Sequence, residues 1–169
     1  MGLFGVESDQ DPICVKSRTG FLIMLMNCPL VWKSSLQTQI ALSTMEAEYI
    51  ALSQSMRELI AIRGLLGEIK KYTFKGSLEE PNINTHSKVF LPPSKVFEDN
   101  SACLKHATLP KLSPRTKHIG IPYHFFRTEV TKGNISVLPI DTKDQLADQF
   151  TKGLPHPKFV HLRKRLLGW

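Results

Sequence analysis

The chain has 169 residues, of which 41% are hydrophobic, and this is enough for one globular domain with a buried core. Its 22 lysines and arginines against 15 acids give a net charge of +7, which suits a polyanionic partner such as a nucleic acid. The cysteines Cys14, Cys28 and Cys103 are odd in number and contain no C-x-x-C pair. This pattern argues against both a disulfide framework and a zinc ribbon.

The longest apolar run covers residues 20–32 and is interrupted by Asn27 and Pro29. It is too short to cross a bilayer, so it predicts core strands and no membrane partner. The N-terminus lacks a charged segment followed by an apolar one, and no signal peptide is predicted. We therefore expect an intracellular protein, cytoplasmic or nuclear.

The first half of the chain predicts a loop, three strands and a long helix. Residues 7–19 are polar and form the loop, after which 21–26 and 30–34 are apolar β runs separated by a short turn, as in a hairpin. Alternating residues over 37–43 predict a third strand. Apolar residues at helical spacing then predict a helix from Thr44 to about Tyr72.

The second half adds two strands and further helices. Residues 73–94, rich in proline, predict an irregular insertion. The elements after it are predicted as strand 94–99, helix 100–108, a basic helical stretch at 114–131, strand 134–140 and helix 142–152. The sequence thus predicts a mixed α/β domain over residues 1–152 and a basic C-terminal tail over 153–169, which serves either as a phosphate clamp or as a solubilising end.

Two glutamates lie near the start of the long helix. Ser43 precedes Glu46 by three residues, which is the spacing of a capping box and predicts a structural role for both residues. Glu48 shares a helix face with Leu52 and Leu59, so its carboxylate is expected to point inward or toward the edge of a cleft. The alternative is an ordinary solvated or salt-bridged helix glutamate.

Two further acids lie where a cleft is expected. Asp99 ends a predicted strand before a helix, a position at which α/β sheets often place ligand groups, and Asp148 lies on the last predicted helix. Each alone is compatible with a cap or a surface residue. Together with Glu48 they could converge into a set of hard oxygen ligands of the kind that Mg²⁺ prefers.

Four blocks of the sequence carry a family resemblance: LVWKSSLQTQIALSTMEAEYIALSQSMRELI, FEDNSACLKHA, PRTKHIGIPYHFFR and ISVLPIDTKDQLADQFTKGLP. In order and spacing they resemble the ribonuclease H domain at the end of copia-type retrotransposon polyproteins, which also contain a reverse transcriptase. The resemblance covers roughly residues 7–166. It implies an α/β, ribonuclease H-like mixed sheet flanked by helices.

The resemblance also implies roles for individual residues. Glu48 of EYIAL matches the family's helix acid, Asp99 of EDN its metal-bridging strand acid, and Asp148 of LADQFTK the acid of its final helix. The implied catalysis is hydrolysis of the RNA strand of an RNA·DNA hybrid with two Mg²⁺ ions, which Mn²⁺ could replace. The remainder of the polyprotein, including the reverse transcriptase, is the implied protein partner.

The family's first catalytic aspartate lies on the central strand, just upstream of the loop that contains Asp9 and Asp11. These two acids match loop residues of the family and are poor replacements. We therefore expect a fold that lacks most or all of the first, central strand and a metal site that is incomplete. The alternative to an active nuclease is a catalytically dead remnant that binds nucleic acid.

Candidate contacts to nucleic acid are polar groups near the three acids and basic groups around residues 105–132. RNA would be distinguished from DNA by contacts to 2′-hydroxyls. The candidates are Ser43, Thr44, Asn100, Ser101, Lys105, Arg115, Lys117, His118 and Arg127. The alternative for the basic residues is a solvated helix face. His118 and His124 have no accompanying cysteine pair, so no zinc is expected.

Overall fold

The computed structural model describes residues 2–3, by backbone alone, and residues 16–73, 91–108 and 125–169. Within these ranges the strands are β1 (Gly2–Leu3), β2 (Arg18–Leu25), β3 (Cys28–Leu36), β4 (Ser94–Glu98) and β5 (Ile135–Pro139). The helices are α1 (Thr44–Thr73), α2 (Ser101–Thr108), α3 (Arg127–Thr131) and α4 (His156–Leu167), with a 3₁₀ helix at Leu146–Phe150. The predicted mixed α/β class is confirmed.

Three predictions fall largely outside the described residues. They are the loop at 7–19, the insertion at 73–94 and the basic helical stretch at 114–131. The described end of the last of these contains the short helix α3.

Strands β2 and β3 form the predicted antiparallel hairpin, with pairs running from Arg18 and Leu36 to Leu25 and Cys28. The strands are longer than predicted at their outer ends. The two-residue turn at Met26 and Asn27 has φ values of 52° and 65°. Turns with two positive φ values match the right-handed twist of paired strands, which explains the tight connection.

The predicted third strand at 37–43 is wrong. The buried Gln37 side chain donates hydrogen bonds to the Ala47 carbonyl oxygen at 2.8 Å and to Thr19 Oγ1 at 3.3 Å, which directs the chain toward α1. Ile40 and Leu42 are exposed, so the alternating pattern does not build a sheet face. The other edge of β2 is occupied by β1, in which Gly2 pairs with Thr19 in antiparallel register.

Helix α1 confirms the predicted long helix and supplies much of the core. Its N-terminal half buries Tyr49, Leu52 and Met56. They pack with residues from α2, β5 and the segment before α3 in one cluster, and the rings of Tyr49 and Phe126 lie 5.6 Å apart between centroids. The C-terminal half of α1 is more exposed, with Ile69 and Tyr72 on the surface. The acids near the start of α1 therefore lie in its most buried part.

Strands β4 and β5 pair in parallel, from Ser94 with Ile135 to Glu98 with Pro139. Parallel neighbours require a crossover connection, and α2 and α3 lie along it. The predicted strands 94–99 and 134–140 and helix 100–108 are confirmed to within one or two residues. This pair forms a two-stranded sheet beside the three-stranded sheet β1–β2–β3.

The predicted helix at 142–152 is wrong in type and length. Asp141 closes a turn by accepting a hydrogen bond from the Lys143 N–H at 3.0 Å. Gln145 then adopts an extended backbone, and its side-chain amide donates to the Phe97 carbonyl oxygen at 3.2 Å. This contact with β4 interrupts the helical backbone, so only the 3₁₀ helix forms.

The residues predicted as a basic tail contain α4, which buries Leu162. Asp144 accepts hydrogen bonds from Arg165 and lies 3.3 Å from the His161 ring nitrogen Nε2. Gly168, with φ of 81°, ends the helix, as glycine commonly does in this conformation. Within the described ranges, no helix combines the length and apolar character needed to cross a membrane.

Candidate functional site

Three carboxylates meet between α1 and the end of β4. Glu48 lies in the buried second turn of α1, Glu98 is the last residue of β4, and Asp99 follows it directly. One carboxylate oxygen from each residue lies within 4.8 Å of the others. Glu48 and Glu98 are buried and Asp99 is half-buried. We call these three residues the acidic cluster.

The acidic cluster is only partly hydrogen-bonded. Glu98 Oε1 accepts a hydrogen bond from the Asn100 N–H at 3.1 Å, and the Asn100 side chain bonds to the Glu48 carboxylate. Glu48 Oε2, Glu98 Oε2 and Asp99 Oδ1 are buried without a hydrogen-bond partner in the described part of the chain. Buried carboxylates without partners are costly, so these oxygens favour a bound cation.

The protonation of the cluster reflects burial and mutual repulsion. Burial raises the pKa of Glu48 from 4.5 to about 7, and the negative charges of Glu98 and Asp99 add to the increase. Burial also raises the pKa of Glu98, and the charge of Asp99 acts in the same direction. Like charges held this close favour the protonated acids, or a divalent ion in place of the protons.

Asn100 connects the acidic cluster to α2. Its Oδ1 accepts hydrogen bonds from the Ala102 N–H at 2.9 Å and the Cys103 N–H at 3.1 Å, as an N-cap does. Cys103 is buried beside the cluster and its side chain bonds to Glu98. Burial, followed by the nearby Glu98 and Glu48 charges, raises the pKa of the Cys103 thiol well above its ordinary value. This thiol therefore acts as a neutral donor.

Glu46 has different contacts from Glu48. The Glu46 N–H donates to Ser43 Oγ at 3.2 Å, and Glu46 Oε2 accepts from the Leu42 N–H at 2.9 Å. The two side chains thus satisfy backbone donors at the start of α1. Glu46 is not a member of the acidic cluster, although it is only two residues from Glu48.

Asp148 lies in the 3₁₀ helix and is 2% exposed. Its Oδ2 accepts a hydrogen bond from Lys158 Nζ at 2.6 Å and lies 3.8 Å from Lys152 Nζ. Asp148 does not belong to the acidic cluster, which among the described residues contains Glu48, Glu98 and Asp99. The structure therefore brings together two of the three predicted acids and pairs the third with lysines.

The candidate nucleic-acid contacts occupy different environments. Ser43 and Thr44 lie half-buried at the start of α1, and Ser101 and Lys105 are exposed on α2. Arg127 is half-buried at the start of α3, where its Nη2 has no partner in the described part of the chain. Arg115, Lys117 and His118 lie outside the described residues.

Glu98 is the member of the acidic cluster that the sequence reasoning missed. The burial of β4 alternates, with Ser94 and Val96 less exposed than Lys95 and Phe97. Continuing this period of two assigns Glu98 to the inner face, and an acid on an inner face is the signal that could have identified it.

The chain is similar to a segment of plant transposon polyproteins. No family model and no solved structure matches it. It is 33% identical over 153 residues, or 90% of its length, to the retrovirus-related Pol polyprotein from transposon TNT 1-94 of Nicotiana tabacum, of which it spans 10%. It is 29% identical over 150 residues to the corresponding polyproteins from transposons RE2 and RE1 of Arabidopsis thaliana, spanning 9% of each. The predicted resemblance to a retrotransposon polyprotein is thus confirmed, and the chain is similar to a region that makes up about a tenth of these Pol polyproteins.

Proposed function

We propose that the chain is a ribonuclease H-type domain of a retrotransposon polyprotein and hydrolyses the RNA strand of RNA·DNA hybrids. The observation that carries the proposal is the meeting of Glu48 and Asp99, two acids on different elements that the family resemblance assigns to metal binding. The similarity to Pol polyproteins supports the same context. The remaining polyprotein, including its reverse transcriptase, would be the protein partner.

The residues present fit Mg²⁺. Mg²⁺ takes hard oxygen ligands, and the acidic cluster offers carboxylate oxygens that lack hydrogen-bond partners among the described residues. A divalent cation would also offset the repulsion that contributes to the raised pKa of Glu48. When bound, Mg²⁺ or Mn²⁺ supplies the Lewis acidity that activates water and stabilises charge on the phosphate.

The protein residues would then position the reactants. Glu48 and Asp99 would hold the ion, and Asp148 is the further acid that the resemblance implies for a second ion. A metal-binding role for Asp148 requires the Lys158 ammonium to move, because it now occupies Oδ2 at 2.6 Å. Ser43, Thr44 and Ser101 are neutral groups near the two gathered acids and would contact the 2′-hydroxyls that distinguish RNA from DNA.

A second candidate function is nucleic-acid binding without cleavage. The net charge of +7 supports it, because a positive surface binds phosphate backbones regardless of catalysis. Both candidates predict hybrid binding, and only the nuclease predicts metal-dependent cleavage.

The test is cleavage of a labelled RNA·DNA hybrid in the presence of Mg²⁺. One sample contains the 169-residue chain, and a second contains the same chain fused behind the preceding segment of the tobacco polyprotein. Cleavage by the fusion alone would support a nuclease whose site needs that segment. Cleavage by both would show that residues of this chain complete the site, and cleavage by neither, with binding retained, would favour the second candidate.

A further inference from the structure

The backbone of Glu98 is held by the neighbouring strand β5. Its backbone carbonyl accepts a hydrogen bond from the Ile140 N–H at 3.1 Å, beyond the last pair of the parallel ladder between β4 and β5. Its side chain is 1% exposed and points into the acidic cluster. A carboxyl group this deeply buried is stable only as the protonated acid or beside a compensating cation.

That compensation is incomplete within the described residues. Glu98 Oε1 is satisfied by the Asn100 N–H, but Oε2 is buried and has no hydrogen-bond partner. Among the described ion pairs, none joins a lysine or arginine to Glu48, Glu98 or Asp99. Glu98 is 1% exposed and its Oε2 lacks a hydrogen-bond partner in the described part of the chain, an observation separate from the clustering that favours a bound cation.

Asp148 provides a contrast within the same chain. Asp148 is as deeply buried as Glu98, but the ammonium groups of Lys158 and Lys152 lie beside its carboxylate. Lys158, the closer of the two, lies in α4. The protein therefore supplies an internal cation for Asp148 and, in the described residues, none for the acidic cluster. A cation bound from solution would act at the acidic cluster as Lys158 acts at Asp148.

We infer that Glu98 is a metal ligand, so that Glu48, Glu98 and Asp99 together bind one hard divalent cation, Mg²⁺ or Mn²⁺, without Asp148. Asp148 instead anchors α4 through Lys158. This inference deepens the proposed function, because it concerns the same site, but metal binding by these residues does not depend on whether cleavage occurs.

The test is Mn²⁺ binding to the 169-residue chain, measured by the electron paramagnetic resonance signal of the free ion. Because the loss of even an outer-shell partner typically weakens metal sites by about 10–100-fold, Glu98→Gln should weaken binding at least about tenfold. The matched control Glu58→Gln, which removes an exposed charge from α1, should bind Mn²⁺ within about twofold of the unaltered protein. Asp148→Asn should lose less Mn²⁺ affinity than Glu98→Gln, because Lys158 already pairs with Asp148.

The melting temperature, measured with and without Mn²⁺, distinguishes weaker metal binding from a folding defect. In metal-free buffer, Glu98→Gln should raise the melting temperature, because it removes a buried charge from a repulsive cluster, and it should reduce the further increase caused by Mn²⁺. Glu98→Asp retains the charge but withdraws it by one methylene, and it should also weaken Mn²⁺ binding.

Two results would overturn the assignment of Glu98. One is unchanged Mn²⁺ affinity in both Glu98 variants when Glu48→Gln weakens it. The other is an equal loss of affinity in a folded Asp148→Asn variant. Mn²⁺ binding that depends on Glu98 in a protein that cleaves no hybrid, even when fused to the upstream segment, would support this inference while contradicting the nuclease. Absence of Mn²⁺ binding by the unaltered chain would contradict the inference directly.

Discussion

Glu48 gives the stability of the protein a specific pH dependence. Its pKa is about 7 in the folded protein and near 4.5 when solvated, so the folded state retains a proton that the unfolded state loses between these values. The resulting stabilisation is complete below about pH 4.5 and is lost as the pH rises through about 7. Without divalent ions, the free energy of unfolding should therefore fall over this range.

Urea denaturation between about pH 4.5 and pH 8 measures this dependence in the parent protein and in Glu48→Gln. The free energy of unfolding of Glu48→Gln should fall less with rising pH than that of the parent protein. Part of the fall should remain, because the pKa of Glu98 is also raised. An identical decrease in the two proteins would show that Glu48 is not the group responsible.

Substitutions at Asp99 and Glu46 test whether the metal site and the helix cap have different roles, provided that the protein or its fusion cleaves hybrids. Asp99→Asn should abolish cleavage and spare hybrid binding, since the amide is a poor ligand for Mg²⁺ but preserves the shape of the side chain. Glu46→Gln should cost about 1 kcal/mol of stability or less and retain cleavage, because it weakens a cap. Cleavage rates and binding are measured on both variants, and equal loss of cleavage would refute the distinction.

At the scale of residues, sequence periodicity and spacing account for part of the site. The S-x-x-E spacing and the shared face with Leu52 separated Glu46 from Glu48, and the structure gives these glutamates different partners. The sequence pattern does not identify Glu98, because Asp99 ends the predicted strand and the inward face of a five-residue strand is a weak signal. The lysine partner of Asp148 comes from α4, ten residues later, and the spacing of the acids carries no information about it.

The ion pair between Lys158 and Asp148 should hold α4 against the 3₁₀ helix. Lys158→Met leaves a buried carboxylate with only the more distant Lys152, so it should cost on the order of 3 kcal/mol in the free energy of unfolding. The control is Arg165→Met, which breaks a more exposed pair with Asp144 and should cost about 1 kcal/mol or less. Equal costs in urea denaturation would mean that burial does not strengthen the Asp148 pair.

Gly20 determines how closely β2 approaches the 3₁₀ helix. A Cβ atom at this position would lie 2.5 Å from Thr151 Cγ2 and 3.0 Å from the Phe150 carbonyl carbon. Gly20→Ala should therefore destabilise the protein by about 1–3 kcal/mol, because the backbone at Phe150 must move.

The matched control is Gly64→Ala on α1, where a Cβ atom would meet nothing within 4 Å. Alanine favours an exposed helix interior over glycine by up to about 1 kcal/mol, so this variant should be neutral or more stable. Thermal unfolding of the two variants gives the comparison, and a stable Gly20→Ala protein would mean that the 3₁₀ helix can shift away from β2.

At the scale of elements, local patterns identified segments that form ordinary hairpins, helices and strands. The hairpin, α1, α2, β4 and β5 carry strong local signals and were predicted close to their observed bounds. At 37–43 and 142–152 the predictions fail where a buried glutamine bonds to another element: Gln37 donates to Thr19 Oγ1 in β2, and Gln145 donates to the Phe97 carbonyl oxygen in β4. Local periodicity contains no information about such tertiary contacts.

The positive charge of the whole molecule predicts salt-sensitive binding to nucleic acid. If lysines and arginines neutralise at least two phosphates, affinity for a hybrid should fall by about tenfold or more between about 50 and 200 mM salt. Fluorescence anisotropy with a labelled RNA·DNA hybrid measures the dependence, and a DNA duplex provides the comparison for specificity. A salt-independent affinity would exclude phosphate contacts as the main source of binding.

Asn100 is required by the fold as well as by the acidic cluster, because it caps α2 and contacts the clustered acids. Its side-chain oxygen accepts hydrogen bonds at the start of α2, and its side chain also bonds to Glu48; glutamine has the same polar groups but is not a preferred N-cap. Aspartate would cap the helix but add a fourth negative charge, and serine would cap it with a shorter reach. The requirement to fold therefore favours asparagine at position 100, whether or not the chain cleaves nucleic acid.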